Sequence, residues 1–104
     1  MSENLKAFLS AWIEWVDAGA AEGKPFARRF GLCSNLNDWT RPLDGDVRWA
    51  CEKELDRLFE VDGLDQCHPF GIEEYFEARG SETQHLDAKR LAWVRSKVAQ
   101  FEAA

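Results

Sequence analysis

Leu5-Lys6-Ala7-Phe8-Leu9-Ser10-Ala11-Trp12-Ile13-Glu14-Trp15-Val16 decides the fold. Its apolar residues recur at Leu5, Phe8, Leu9, Trp12, Ile13 and Val16, the spacing that gathers side chains on one face of an α-helix. Ser2 and Glu3 supply an N-cap and an acidic first turn. Gly19 and Gly23 mark the end of the helix, since glycine tolerates the left-handed conformation that closes a last turn.

The same period returns twice. Asp46 is expected to cap a long helix with Val47, Cys51, Leu55, Leu58 and Phe59 on its inner face and Glu52, Lys53, Asp56 and Arg57 outside, stopped by Asp62-Gly63. Asp87 is expected to cap the last helix, with Leu91, Val94, Val98 and Phe101 as its stripe. Shorter helices are expected after Pro25, where Phe26 and Phe30 share a face, and over Glu73–Arg79, and a short helix or turn over Ser34–Trp39 with Leu32, Leu36 and Trp39 turned inward. Arg41–Gly45 and Leu64–Gly71 read as loops from their Pro and Gly. No stretch alternates polar and apolar residues as a strand would. The expectation is an all-α fold: one helical domain over residues 1–104, a small bundle of three longer and two or three short helices. Phe8, Trp12, Leu36, Trp39, Leu55, Phe59, Leu91, Val94 and Phe101 are its expected core.

Composition bounds the partners. The chain has 104 residues, of which 45% are hydrophobic and 31% charged, a balance that folds. Its net charge of −6 repels phosphate backbones, and the basic pairs Arg28-Arg29 and Lys89-Arg90 are too short to form a nucleic-acid patch. The acids are concentrated: from Asp44 to Glu77 eleven face three bases, a net of −8. No apolar run approaches the ~20 residues of a membrane span, and Met1–Lys6 lacks the basic region of a signal peptide, so a cytoplasmic protein is expected.

Few residues offer chemistry. Cys33, Cys51 and Cys67 are an odd count without framework spacing, which suits reduced thiols. Cys33, Cys67, His68 and His85 have zinc-ligand side chains, and a small zinc-binding or structural module is the alternative they raise. They lack the close Cys pair that zinc sites use. A nucleophile built from Cys67 with His68 or His85 would need a base within hydrogen-bond reach and a third group to orient it. His85 and Asp87, with Arg90 one turn on, more simply tie a loop to the start of the last helix. A calcium loop counted from Asp44 places Leu55 where its final Glu belongs. Glu73-Glu74 and Glu52 with Glu54 read as solvated helix surface. No phosphate loop or nucleophile elbow is present. The reading is therefore not an enzyme, with no cofactor and no metal.

Trp15, Trp49 and Trp93 fall off the stripes of their helices. Tryptophan is enriched in binding hot spots. These three residues, rimmed by Glu52, Asp56 and Glu60, are the candidate partner-binding residues. Wrapping around the core edge is the structural alternative for each. A homodimer through these edges is a further possibility in a chain of this kind.

Gly31-Leu32-Cys33-Ser34-Asn35-Leu36, Asp62-Gly63-Leu64-Asp65 followed by Pro69-Phe70-Gly71, and His85-Leu86-Asp87-Ala88-Lys89-Arg90-Leu91-Ala92-Trp93-Val94-Arg95 resemble blocks in small proteins of tailed bacteriophages. Trp15–Ala20 is similar too. The resemblance implies action in a bacterial host cytoplasm on a host protein, by inhibiting or redirecting it, with a defence protein as target in the anti-CRISPR or anti-restriction manner. It carries no residue role with it.

Overall fold

The computed structural model of the chain describes residues 1–21, 23, 26–27, 31–64 and 88–103. Among them lie four helices and no strand: α1 (Glu3–Asp17), α2 (Leu32–Trp39), α3 (Gly45–Val61) and α4 (Ala88–Ala103). The fold is all-α, with three longer helices and one short one among the described residues. The radius of gyration, 13.1 Å, is that of one compact domain of about 100 residues. The short helix expected over Glu73–Arg79, the cap at Asp87, and Pro25 and Phe30 lie outside the described residues.

Helix α1 forms as its period dictates. Ser2 has extended backbone and its Oγ accepts the Leu5 amide at 3.2 Å, satisfying one of the unpaired donors of the first turn. Leu5, Phe8, Leu9 and Trp12 are buried, each removing roughly 1.5–3 kcal/mol worth of apolar surface from water. The helix ends in a Schellman motif: Gly19 N–H donates to Val16 O at 3.0 Å and Ala20 N–H to Trp15 O at 2.8 Å. Gly19 carries φ +104°, which a side chain would strain. The helix is closed before Gly23, which takes no part in its end.

Helix α3 begins earlier than expected. Asp44 is its N-cap residue, with no side-chain cap bond, and Gly45 is already helical. Asp46 is therefore not the cap. It lies inside the first turn, where a carboxylate still meets the positive end of the helix dipole. Cys51, Leu55 and Phe59 face inward, and a second Schellman motif closes at Gly63, with Gly63 N–H on Glu60 O and Leu64 N–H on Phe59 O.

The core forms where α1 packs against both α3 and α4 and α2 packs against α3. Phe26 sits at the centre of an aromatic group, stacked on Trp39 at 5.6 Å and close to Phe8 at 6.0 Å and Trp15 at 5.4 Å. It is buried as a non-helical residue, so the short helix expected around it is not seen there. Of the expected core, Phe8, Trp12, Leu36, Leu55, Phe59 and Val94 are buried and Trp39 and Leu91 are half-buried against it. Phe101 is half-buried with Lys6 Nζ 5.3 Å from its ring centre.

Polar contacts fix the helices relative to one another. Ser2 N–H and Oγ both donate to the Glu54 carboxylate, at 2.9 and 2.7 Å, which holds the positive end of α1 on α3. Lys6 with Glu102 (3.8 Å) and Arg95 with Asp17 set α1 and α4 antiparallel. Buried Asn35 accepts from Ala27 N–H at 3.0 Å and donates to Ala27 O at 3.3 Å, pinning the segment that carries Phe26 onto α2.

Candidate functional site

The three off-stripe tryptophans meet different fates. Trp15 lies against Phe26, and its indole N–H donates to Ala21 O at 2.8 Å. Trp93 stacks on Phe59 with ring centres 4.8 Å apart, and its N–H donates to Asp62 Oδ2 at 2.7 Å. Both are partly buried against the core. Trp49 is 62% exposed. Its one ring contact among the described residues is Lys53 Nζ, 5.7 Å from the ring centre. Trp49 and Trp93 do not share a patch. Trp93 is fixed at the C-terminal end of α3, at Phe59 and Asp62. Trp49 stands ten residues before Phe59, about 15 Å along the helix at its usual rise.

Around Trp49 the helical period arranges the acids. At about 100° per residue, Asp56 and Glu60 lie within roughly 20° of the Trp49 direction, Glu52 about 60° to one side and Lys53 about 40° to the other. Glu52 and Glu60 are exposed and Asp56 half-buried. The outer face of α3 is thus an aromatic side chain heading a row of three carboxylates at i, i+4 and i+8. None of the three takes part in a hydrogen bond or ion pair among the described residues. Like charges at that spacing destabilise a helix by about 0.2–0.5 kcal/mol per pair, and Glu60 also stands at the negative end of the helix dipole. Lys53 and Arg57 beside the row offset part of this.

Other acids of the chain are committed to the fold. Glu54 holds Ser2, Asp17 holds Arg95, and Asp38 holds Arg41 at 2.7 Å. Asp62 accepts from both Lys97 Nζ and Trp93 Nε1 at 2.7 Å. The Lys97 hydrogen bond, then that of Trp93, holds the Asp62 carboxyl below its usual range. Lys97 itself is buried, its side chain 9% exposed. In the sequence Asp62-Gly63 shows only as a helix stop, and the junction itself is not apparent there. The available signal was the i, i+4 placement of Trp93 and Lys97.

The thiols and cations offer little chemistry. Burial, then Glu54 and Glu52, pushes the Cys51 thiol up from its ordinary value, so it stays neutral and a poor nucleophile. Cys33 is exposed on α2. Arg48 donates to Asn37 O and, at 2.6 Å, to its Oδ1, and its buried Nε finds no partner among the described residues. Cys67, His68, His85, Glu73 and Glu74 lie outside the described residues. Among those described, no group of three or more His, Cys, Asp or Glu could hold a metal ion, and no helix is long and apolar enough to cross a membrane.

No protein-family model matches the chain, and neither a curated protein nor a solved structure matches it.

Proposed function

We propose that this chain is a non-enzymatic protein-binding module whose working surface is the outer face of α3, with Trp49 as anchor and Glu52, Asp56 and Glu60 as its charged rim. The observation that carries the reading is the exposure of Trp49. Trp12 is buried and Trp15, Trp39 and Trp93 pack against the core, so Trp49 is the one whose large apolar area the fold leaves to water. Buried aromatic anchors surrounded by polar rims dominate the energetics of protein interfaces, and carboxylates around such an anchor steer a basic partner toward it. The mechanism is occlusion: the module covers a working surface of its partner and needs no bond-making chemistry. The resemblance to small phage proteins supports a bacterial host protein as partner, a defence protein in the first place.

The test is affinity purification from a bacterial lysate with the wild-type chain and with Trp49→Ala. The wild type retains a host protein that the variant loses. The variant keeps its helical circular dichroism and its stability to within about 0.5 kcal/mol, as for a surface substitution. Retention unaffected by the substitution, or no retained protein at all, defeats the reading.

A further inference from the structure

Resting on that reading of the α3 face, we infer that the element it receives is a basic α-helix of the partner, laid alongside α3 with Arg or Lys at every fourth position. Glu52, Asp56 and Glu60 follow one another at i and i+4, a rise of about 6 Å per step. A second helix crossing at about −50°, the class in which the i±4n rows of both helices run together, presents its own i, i+4 side chains at the same step. Each carboxylate then meets one cation. Arginine is favoured, because its planar fork pairs with a carboxylate through two parallel hydrogen bonds.

The surroundings narrow the fit. Lys53 and Arg57 flank the row, so a partner carrying bases all round its helix is repelled on that side. A single basic stripe is accepted, and the register is fixed. Trp49, at the head of the row, calls for an apolar side chain about one turn beyond the partner's last base. A groove shaped for nucleic acid is a poorer match. Duplex DNA carries one charge per about 1.7 Å of axis over its two strands, whereas the face offers a single row with one carboxylate per about 6 Å. Committed elsewhere, Glu54 and Asp62 cannot fill the gaps. The three row carboxylates, without ion partners among the described residues, stand at one regular spacing to receive external cations.

The experiment titrates the full chain with a stapled helical peptide bearing three arginines at every fourth position and a leucine one turn beyond each end. The control peptide has the same composition with its arginines spread around the helix. Isothermal calorimetry gives the affinities. The matched peptide is expected to bind about tenfold tighter than the control, and more weakly as salt is raised. Asp56→Asn, Glu60→Gln and Trp49→Ala each lower its affinity several-fold, while none of them lowers the melting temperature. Equal binding of the two peptides, or affinity unchanged by Asp56→Asn and Glu60→Gln, overturns the basic helix. Lysate capture that Trp49→Ala abolishes and the two acid substitutions leave intact overturns it as well, and leaves the protein-binding reading standing.

Discussion

Asp56 and Asp62 belong to the same stretch of chain, one on α3 and the other its C-cap, yet among the described residues only Asp62 is engaged by the fold. Asp62 accepts from Lys97 and Trp93 and so anchors α4 to the end of α3. Asp56 faces outward in a row with Glu52 and Glu60 and binds nothing among the described residues. The same division runs through the tryptophans, with Trp93 stacked on Phe59 and Trp49 standing in solvent. Over one helix, then, the inner and terminal positions are committed to the fold. The outer row has a local electrostatic cost, offset in part by Lys53 and Arg57, and no hydrogen bond or ion pair among the described residues in return. Departures from local rules of this kind are expected at functional or strained sites.

The sharpest way to break the comparison is at the committed end. Phe59 is buried and carries the Trp93 stack. Phe59→Ala should destabilise the protein by about 3–5 kcal/mol, the range for large aromatic truncations in a core. Urea unfolding followed by far-UV circular dichroism measures it. A loss below about 1 kcal/mol would mean that α4 is held elsewhere.

Asp62→Asn is the next largest effect and has a pH signature. It leaves the Lys97 ammonium, 9% exposed, without its carboxylate, and destabilises at neutral pH. The folded carboxyl titrates below its ordinary 3.8. The stability that it contributes is therefore complete above that value and is lost as pH falls through the lower, folded one. Wild type and variant should differ most at neutral pH and converge below 3.8. Parallel urea midpoints across the whole range would remove Asp62 from the junction.

What the sequence made legible follows from how local each feature is. The α1 stripe, the Ser2 cap and the α3 stripe rest on neighbours within two turns, and they stand in the structure as expected. The cap of α3 falls at Asp44 and not at the expected Asp46, because both are competent caps. Gly45 looks like loop but is tolerated in a first helical turn. Asn35, Arg90 and Lys97 are buried polar residues that an apolar stripe does not mark. Asn35 and Lys97 earn burial through partners far along the chain, at Ala27 and Asp62. Trp15, Trp49 and Trp93 share one off-stripe signature. What separates them is whether another segment passes close enough to cover the ring and accept its N–H, as at Phe26 and Ala21 or at Phe59 and Asp62. The carboxylate row, by contrast, was readable in spacing. That it binds nothing among the described residues was not, because Glu54 in the same helix has equal charge and is fully engaged by Ser2.

The smallest expected effect sits on that row, and its sign is what matters. Asp56→Asn removes a like-charge neighbour from both Glu52 and Glu60, and Glu60→Gln removes a negative charge from the end of α3 where the dipole is already negative. Neither substitution breaks a hydrogen bond or ion pair among the described residues. Each should therefore stabilise the free protein, by about 0.2–0.5 kcal/mol per like-charge pair relieved, with a gain that shrinks as added salt screens the exposed charges. Thermal unfolding at low and high salt reads both quantities. A surface kept only for solubility would show no partner binding to set against that gain. A surface kept for a basic partner trades the stability for binding, so the same two substitutions raise the melting temperature and weaken the complex. If either one lowers the melting temperature, the row is structural after all, and Asp56 belongs with Asp62.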